Sequence, residues 1–170
     1  MIRLLTGSTH TGKTLLAQRL LERHGAPYLS IDHLKMGLIR SGMCPLTPES
    51  TDEALTAVLW PVVREIVKTA VENGQSLTVE GCYIPFNWRE DFDASCLPHI
   101  RFLCLVFSEA YIRTRFDTIQ THANAIERRK DDSFCTMELL LAENRRNLEA
   151  CRRRGLPYYL IDGPYAPPLD

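Results

Sequence analysis

The chain has 170 residues, of which 45% are hydrophobic, and this is enough for one sizeable core and predicts a single domain over residues 1–170. Its 20 basic and 21 acidic residues leave a formal charge of −1. The chain therefore has no excess of basic residues, which argues against a nucleic-acid partner. No apolar run is long enough for a signal peptide or a membrane span, and the six cysteines form no C-x-x-C pair, which predicts a cytoplasmic protein with reduced thiols and no membrane partner.

Five short apolar segments predict buried β-strands, at residues 2–6, 27–31, 76–80, 100–107 and 157–162. Apolar residues at helical spacing predict helices between them, at 13–23, from Asp32 to about Ser41, and from Thr47 to about Asn73. The interval between the fourth and fifth strands is mostly helical in pattern and rich in arginine. Strands that alternate with helices predict an α/β fold, in which a five-stranded parallel sheet is covered by helices on both faces.

Polar or glycine-rich segments follow the end of each predicted strand. In doubly wound sheets, ligands bind at the carboxyl ends of the strands. We therefore expect these groups to line one edge of the sheet: the loop at residues 7–14, Asp32, Glu80, Ser108 with Glu109, and Asp162.

The first of these groups matches the pattern G-x-x-x-x-G-K-[ST] and lies between the first strand and the first helix. It consists of Gly7, Ser8, Thr9, His10, Thr11, Gly12, Lys13 and Thr14. The glycines allow a tight turn whose backbone N–H groups converge on an anion, and the start of the helix adds its positive end. Lys13 can reach the outer phosphates of a nucleotide, and the Thr14 hydroxyl can bind Mg²⁺. The motif predicts a site for nucleotide phosphates.

Two carboxylates at strand ends are candidates for the chemistry. Asp32 could accept a proton from a substrate hydroxyl, although aspartate is also a favoured N-cap and a helix is predicted to begin there. Glu80 could hold a magnesium-bound water or act as the base, and the alternative is a strand end that faces solvent. The sequence does not decide which of the two accepts the proton.

Arginines flank a segment, residues 116–127, that contains few large apolar residues. A mobile flap that brings guanidinium groups onto the transferring phosphoryl group would need this composition, although arginines on an exposed helix are also common. The arginines concerned are Arg113, Arg115, Arg128 and Arg129.

With these features in place, the chain resembles the P-loop nucleoside and nucleotide kinases, adenylate kinase most closely. "SIDHLKMGLIRSG" is similar to the segment that grips the phosphoryl acceptor, and places Asp32 and Lys35 at its aspartate and arginine. "TVEG" resembles the strand ending in Asp-Gly and implies that Glu80 is the magnesium-associated acid. "RRKDD" and "ENRRNL" imply phosphate-binding roles for Arg129 and, from a weaker match, Arg145.

The resemblance also implies the strand order 2-3-1-4-5 and a short helical lid at about residues 113–130. Adenine would be held near the base of the lid and the loop after Asp162. The sequence departs from the pattern of these kinases at two places that bear on the choice of substrate. His10 replaces a glycine that they usually carry inside the phosphate-binding loop. Ile84 and Pro85 stand where they carry an arginine that clamps a monophosphate. The segments "SIDHLKMGL" and "EGCYIP" also resemble a looser group of 2-phosphoglycerate kinase-like and other small-molecule kinases.

These observations predict a kinase that uses ATP and Mg²⁺ and transfers the γ-phosphoryl group to a hydroxyl or a phosphate of a small polar acceptor. Lys13, Asp32, Glu80 and Arg129 would be catalytic, and Arg115, Arg128 and Arg145 would contact the nucleotide phosphates. The acceptor would contact Asp32, Lys35, Tyr83 and Trp88, although Tyr83, Phe86 and Trp88 could equally be core residues. The alternative function is a nucleotide-binding regulatory ATPase, or switch, without a small-molecule acceptor.

Overall fold

The computed structural model describes residues 1–122 and 135–169. Its five strands are β1 (Ile2–Gly7), β2 (Tyr28–Ser30), β3 (Leu77–Glu80), β4 (Ile100–Phe107) and β5 (Tyr158–Ile161). Its helices are α1 (Lys13–His24), α2 (Ile31–Arg40), α3 (Asp52–Glu72), α4 (Glu109–Thr121) and α5 (Met137–Arg154). Two 3₁₀ turns, Trp88–Asp91 and Leu97–His99, lie between β3 and β4. Every predicted strand is found, with ends that differ by at most one residue.

The strands form one parallel sheet in the order β2-β3-β1-β4-β5. In β1, Leu4 belongs to a core cluster with α3, whereas its neighbour Leu5 belongs to a second cluster with α1, α4 and α5. Since successive side chains of a strand point to opposite faces, the two clusters lie on opposite faces of the sheet. The predicted three-layer α/β/α fold and its strand order are confirmed.

The third helix begins later than predicted. It starts at Asp52, where the Thr51 Oγ1 atom accepts a hydrogen bond from the backbone N–H of Ala54 at 3.3 Å. The backbone N–H of Thr47 instead donates to Ser50 Oγ at 3.0 Å, within the preceding turn. The prediction from Thr47 was therefore wrong, because two threonines a few residues apart compete for the capping position and Thr51 caps the helix.

A buried asparagine connects α5 to the end of β4. Asn144 is 2% exposed; its Oδ1 accepts a hydrogen bond from the Phe107 backbone N–H, and its Nδ2 donates to the Leu140 carbonyl, both at 2.8 Å. The amide is satisfied on both sides, as a buried polar group requires. The last residue of β4 is therefore held by a side chain of α5.

Among the described residues, none of the helices combines the length and the apolar character needed to cross a bilayer. The predictions of a single domain over residues 1–170 and of a lid at about 113–130 stay predictions, and residues 123–130 of that lid lie outside the described part of the chain.

Candidate active site

The polar groups that follow the strands meet at one edge of the sheet, as the strand-end rule predicts. The Ser108 hydroxyl, after β4, donates a hydrogen bond to the Asp162 carboxylate, after β5, and the Ser108 N–H donates to the Ile161 carbonyl at 3.0 Å. On the other side of β1, Leu5 is in register with Glu80 at the end of β3. The loop between β1 and α1 lies between these two pairs.

Two glycines let this loop turn between β1 and α1. Gly7 has φ 147°, and a Cβ atom there would lie 2.4 Å from the Leu105 carbonyl oxygen of β4. Gly12 is the N-cap of α1 and has the left-handed values φ 80° and ψ 24°. A side chain at residue 7 would collide with backbone, and one at residue 12 would need an unfavourable conformation. The two glycines of the motif are thus required by the observed turn.

His10 adopts the left-handed conformation, at the position where the resemblance to the P-loop kinases implies a glycine. Its φ is 65°, and it is the one non-glycine residue with positive φ in the described ranges 1–122 and 135–169. Its Nδ1 lies 2.8 Å from Thr9 Oγ1. A left-handed residue other than glycine costs about 1–2 kcal/mol, so the rest of the loop holds His10 in this conformation.

The loop is closed by polar contacts to a single carbonyl group. The Ser8 carbonyl accepts hydrogen bonds from Lys13 Nζ at 2.9 Å and from Thr11 Oγ1 at 2.8 Å. Ser8, Thr11 and Lys13 are 3%, 1% and 7% exposed. These contacts hold the turn in place through side chains of its own sequence.

The Lys13 ammonium is buried but charged. Burial by itself would lower its pKa, whereas the nearby carboxylates of Glu80 and Asp32 raise it, and the pKa lies above the ordinary lysine value. A charged amine in a loop at a helix start favours anions. Lys13 is therefore suited to neutralise the charge of bound phosphates.

Glu80 faces inward at the end of β3. It is 2% exposed, and the Thr14 hydroxyl donates to its Oε1 at 3.4 Å. The alternative of a solvent-facing strand end is therefore wrong. The described residues contain no group of three or more His, Cys, Asp or Glu that could hold a metal by themselves. One hydroxyl and one carboxylate still fit Mg²⁺, which usually binds one or two protein oxygens together with water and phosphate.

Asp32, Lys35 and Tyr83 form a connected group between α2 and the segment after β3. Asp32 is the second residue of α2, and Ser30 is the N-cap, so the capping alternative for Asp32 is wrong. Lys35 Nζ lies 2.9 Å from Asp32 Oδ1 and donates to the Tyr83 hydroxyl at 2.9 Å. Burial would lower the Lys35 pKa, but Asp32 and Tyr83 raise it well above its ordinary value. The structure thus brings together three of the four predicted acceptor-binding residues.

Trp88 is the fourth, and the structure places it among core residues. It is 2% exposed, stacks on Phe102 with ring centroids 5.9 Å apart, and meets Phe92 edge-on at 6.1 Å. Phe86 packs against the same Phe102. Trp88 and Phe86 belong to the core on one face of the sheet, because the segment after β3 folds inward to cover it. This packing favours the core alternative for Trp88, and its predicted contact with an acceptor stays a prediction.

The predicted phosphate-binding arginines that the structure describes lie on α4 and α5, the two helices between β4 and β5. Arg113 Nη2 lies 2.8 Å from Glu109 Oε1, and Arg145 Nη2 lies 3.5 Å from Glu109 Oε2. Arg115 is exposed where α4 departs from helical geometry, with φ −130° and ψ 19°. Exposed ion pairs of this kind contribute little to stability. The predicted contacts of Arg115 and Arg145 with phosphate stay predictions, and Arg128 and Arg129 lie outside the described residues.

Glu143 contacts the loop although no sequence motif singles it out. The Ser8 hydroxyl donates a hydrogen bond to Glu143 Oε2, so α5 brings a carboxylate to the start of the phosphate-binding turn. The two residues are 135 positions apart. Only the strand order, which packs α5 against this part of the sheet, could have indicated the contact.

A cavity of about 700 Å³ lies at the opposite edge of the sheet, before β2 and β3. Val62, Ile66 and Leu77 contribute to its lining, and Glu65 is the one ionisable side chain among its described lining residues. A catalytic site needs several ionisable groups that converge on one point; the loop edge has them, whereas the described lining of this cavity has one. The candidate active site is therefore the edge that contains Lys13.

Solved structures share this architecture. A gluconokinase from Sinorhizobium meliloti 1021 has a TM-score of 0.54 at 20% identity, and the match covers 98% of this chain and 83% of the other. A shikimate kinase from Bacteroides thetaiotaomicron has a TM-score of 0.52 at 14% identity, with coverages of 95% and 86%. The fold is that of the P-loop small-molecule kinases.

A deoxyadenosine kinase from M. mycoides, solved with dCMP and dCDP, has a TM-score of 0.56 at 11% identity and covers 95% of this chain and 90% of its own. No protein-family model matches the chain, and no curated protein matches it in sequence. At these identities the likeness shows the fold, and it confirms the predicted resemblance to the P-loop kinases at that level.

Proposed function

We propose that this protein is an ATP-dependent kinase that transfers the γ-phosphoryl group of Mg-ATP to a small polar acceptor. The observation that carries the proposal is the convergence of a buried, charged Lys13, the Thr14–Glu80 pair and the Asp32 carboxylate around one turn. Phosphoryl transfer depends on positioning and on neutralising charge, and these groups supply both.

The donor side binds the phosphates of ATP through the loop at residues 7–14. The backbone N–H groups at the start of α1 have no partners within the helix and are available to phosphate oxygens. Lys13 Nζ leaves the Ser8 carbonyl, 2.9 Å away in this structure, to contact the β- and γ-phosphates. Arg115 and Arg145, with Arg128 and Arg129, are the proposed additional phosphate ligands.

Thr14 and Glu80 would hold Mg²⁺, which would neutralise charge on the nucleotide phosphates. The Thr14 hydroxyl is the proposed direct ligand. Glu80, which already accepts the Thr14 hydroxyl at 3.4 Å, would orient that ligand or a water bound to the metal. Its burial and its hydrogen bond suit it to the metal rather than to the acceptor.

Asp32 is the proposed base for the acceptor hydroxyl. Its side chain is 47% exposed and is held by Lys35, so it is accessible and oriented at once. The hydroxyl oxygen attacks the γ-phosphorus, its proton passes to Asp32, and the bond between the γ-phosphorus and the bridging oxygen breaks to leave ADP. Lys35 and the Tyr83 hydroxyl supply donors that orient the acceptor.

A panel assay tests the proposal. Purified protein with Mg-ATP is incubated with sugar acids, polyols, nucleosides, nucleoside monophosphates and amino alcohols, and both ADP and phosphorylated product are measured. We expect one class to raise ADP formation at least about ten-fold over the acceptor-free rate, with an equal amount of phosphorylated acceptor. Hydrolysis that no acceptor stimulates would contradict a kinase and support the regulatory ATPase. Absence of both nucleotide binding and turnover would contradict both functions.

A further inference from the structure

The segment that follows β5, residues 162–169, runs back over the start of α1. The Tyr165 hydroxyl donates a hydrogen bond of 2.7 Å to the Gly12 carbonyl, from a residue 153 positions away in sequence. Gly12 is the N-cap of α1 and the second glycine of the phosphate-binding motif. A side chain outside the motif thus contacts the backbone of the motif directly.

Tyr165 is held in place by its surroundings. The Arg19 guanidinium lies 5.3 Å from the centre of its ring, within the range of a cation–π contact. Further along the segment, a ring nitrogen of His24 lies 2.5 Å from the Leu169 carbonyl oxygen. Tyr165 and Leu169 also pack against the core cluster that contains α1. The contact with Gly12 is therefore part of an attachment that extends along the helix.

Tyr165 and Gly12 fit each other closely. A Cβ atom at residue 12 would lie 2.8 Å from both Cε2 and the hydroxyl oxygen of Tyr165. Ordinary van der Waals contact needs about 3.5–4.0 Å between carbon atoms. The ring thus fills the space that a side chain at residue 12 would need. This close contact is a second reason for glycine there, besides its left-handed conformation.

The Gly12 carbonyl belongs to the same peptide unit as the Lys13 N–H. Because a trans peptide is planar, a group that holds the carbonyl also fixes the N–H, which points the opposite way. The carbonyl already accepts the Leu16 N–H at 2.9 Å, the first hydrogen bond of α1. A second donor polarises the peptide further and makes the Lys13 N–H a stronger donor. That N–H is one of the amides at the helix start that have no partner within the helix.

We infer that Tyr165 is a positioning residue for nucleotide phosphates: its hydroxyl holds the Gly12–Lys13 peptide so that the Lys13 N–H points at the anion. The inference rests on the proposed function, in which this loop binds the phosphates of ATP. A tyrosine hydroxyl is protonated at neutral pH, and burial raises the pKa of Tyr165 further, so the hydroxyl remains a donor. The ring and its neighbours hold the segment, and the single hydroxyl acts on the loop.

The test is Tyr165→Phe, which removes the hydroxyl and keeps the ring. We expect the Kd for Mg-ADP to rise about five-fold, the equivalent of one hydrogen bond. Because the effect passes through the phosphate loop, the Kd for Mg-tripolyphosphate should rise by the same factor. In the ligand-free protein, the Lys13 amide proton should shift upfield as the peptide loses polarisation, which a general loss of stability would not produce. Tyr28→Phe, at a half-buried tyrosine of the same core cluster, should change none of these values.

The possible results separate the inference from the proposed function. Wild type that binds Mg-ADP, with a Tyr165→Phe variant of equal affinity, overturns the inference alone. An effect on Mg-ADP that is absent with tripolyphosphate also overturns it, because the hydroxyl would then act on the nucleoside. Wild type that binds neither ligand overturns the proposed function and the inference together. Unchanged urea unfolding of the Tyr165→Phe variant, with weaker binding of both ligands, supports a positioning role.

Discussion

The two halves of the candidate site are built in different ways. On the donor side, Ser8, Thr11 and Lys13 are at most 7% exposed and hold the loop through contacts within eight residues of sequence. On the acceptor side, the Asp32 side chain is 47% exposed and is oriented by Lys35, which in turn contacts Tyr83 from a different part of the chain. The loop of the donor side is therefore buried and closed by contacts within its own sequence, to which Glu143 and Tyr165 add contacts from distant segments. The acceptor side instead presents an exposed carboxylate, which a lysine one helical turn away orients.

This difference predicts how substitutions act. Changes on the donor side should affect every reaction that uses the nucleotide, whereas changes on the acceptor side should affect transfer and leave nucleotide binding intact. The comparison fails if a donor-side change spares hydrolysis or if an acceptor-side change weakens Mg-ADP binding. Four substitutions test it, in order of decreasing effect.

Lys13→Ala should have the largest effect. The variant loses the buried ammonium that neutralises the phosphates, so kcat/KM should fall about 10³-fold. Steady-state kinetics measures the loss, and circular dichroism checks that the fold is intact. Lys68→Ala is a matched control, because this lysine pairs with Glu65 on the surface of α3 and should leave the rate unchanged. A well-folded Lys13→Ala protein with normal activity would refute the donor-side assignment.

Asp32→Asn should lower kcat with the acceptor about 100-fold, because an amide cannot accept the hydroxyl proton. Asparagine keeps the size of the side chain and an oxygen for Lys35. The Kd for Mg-ADP should stay within about two-fold of wild type, since the residue belongs to the acceptor side. If Mg-ADP binding falls in parallel with kcat, the proposed separation of the two sides is wrong.

Glu80→Gln should raise the Mg²⁺ concentration for half-maximal rate by about 10–100-fold, the usual effect of losing a group that supports a metal ligand. Glutamine preserves an oxygen that can accept the Thr14 hydroxyl, so the loop should keep its shape. Glu65→Gln, on the exposed face of α3, is the control and should leave the Mg²⁺ dependence unchanged. An unaltered Mg²⁺ requirement in Glu80→Gln would remove Glu80 from the metal site.

Tyr83→Phe should have the smallest effect. It removes one hydrogen bond to Lys35 and should raise the acceptor KM about five-fold, with ATP KM unchanged. Tyr158→Phe, at a tyrosine that is 37% exposed on β5, provides a control that changes neither value. Equal changes in both KM values would indicate a general loss of structure rather than an effect on the acceptor.

The raised pKa of Lys35 also predicts the pH range over which this acceptor-side lysine keeps its charge. A lysine whose folded pKa lies above its ordinary value contributes stability below that ordinary value and loses it as the pH rises through the folded pKa. Lys35 should therefore stay charged between about pH 6 and pH 9, where ordinary lysines are also protonated. Over this range, changes in acceptor KM should come from other groups.

The sequence predicted the donor side better than the acceptor side for a physical reason. The loop at residues 7–14 is specified by its own glycines and by its place between a strand and a helix, and Glu80 follows from the strand-end rule. Trp88 could not be placed in this way, because its burial depends on how the segment after β3 packs over Phe102. Glu143 and Tyr165 reach the loop from 135 and 153 positions away, and local patterns carry no sign of such contacts.

Three consecutive residues of α5 connect three different parts of the molecule. Glu143 accepts the hydroxyl of Ser8, Asn144 joins the last residue of β4, and Arg145 pairs with Glu109 at the start of α4. A shift by one residue rotates a helix by about 100°, which would separate all three contacts at once. Insertions or deletions between α4 and α5 are therefore compatible with these three contacts only if α5 keeps the same rotation about its axis.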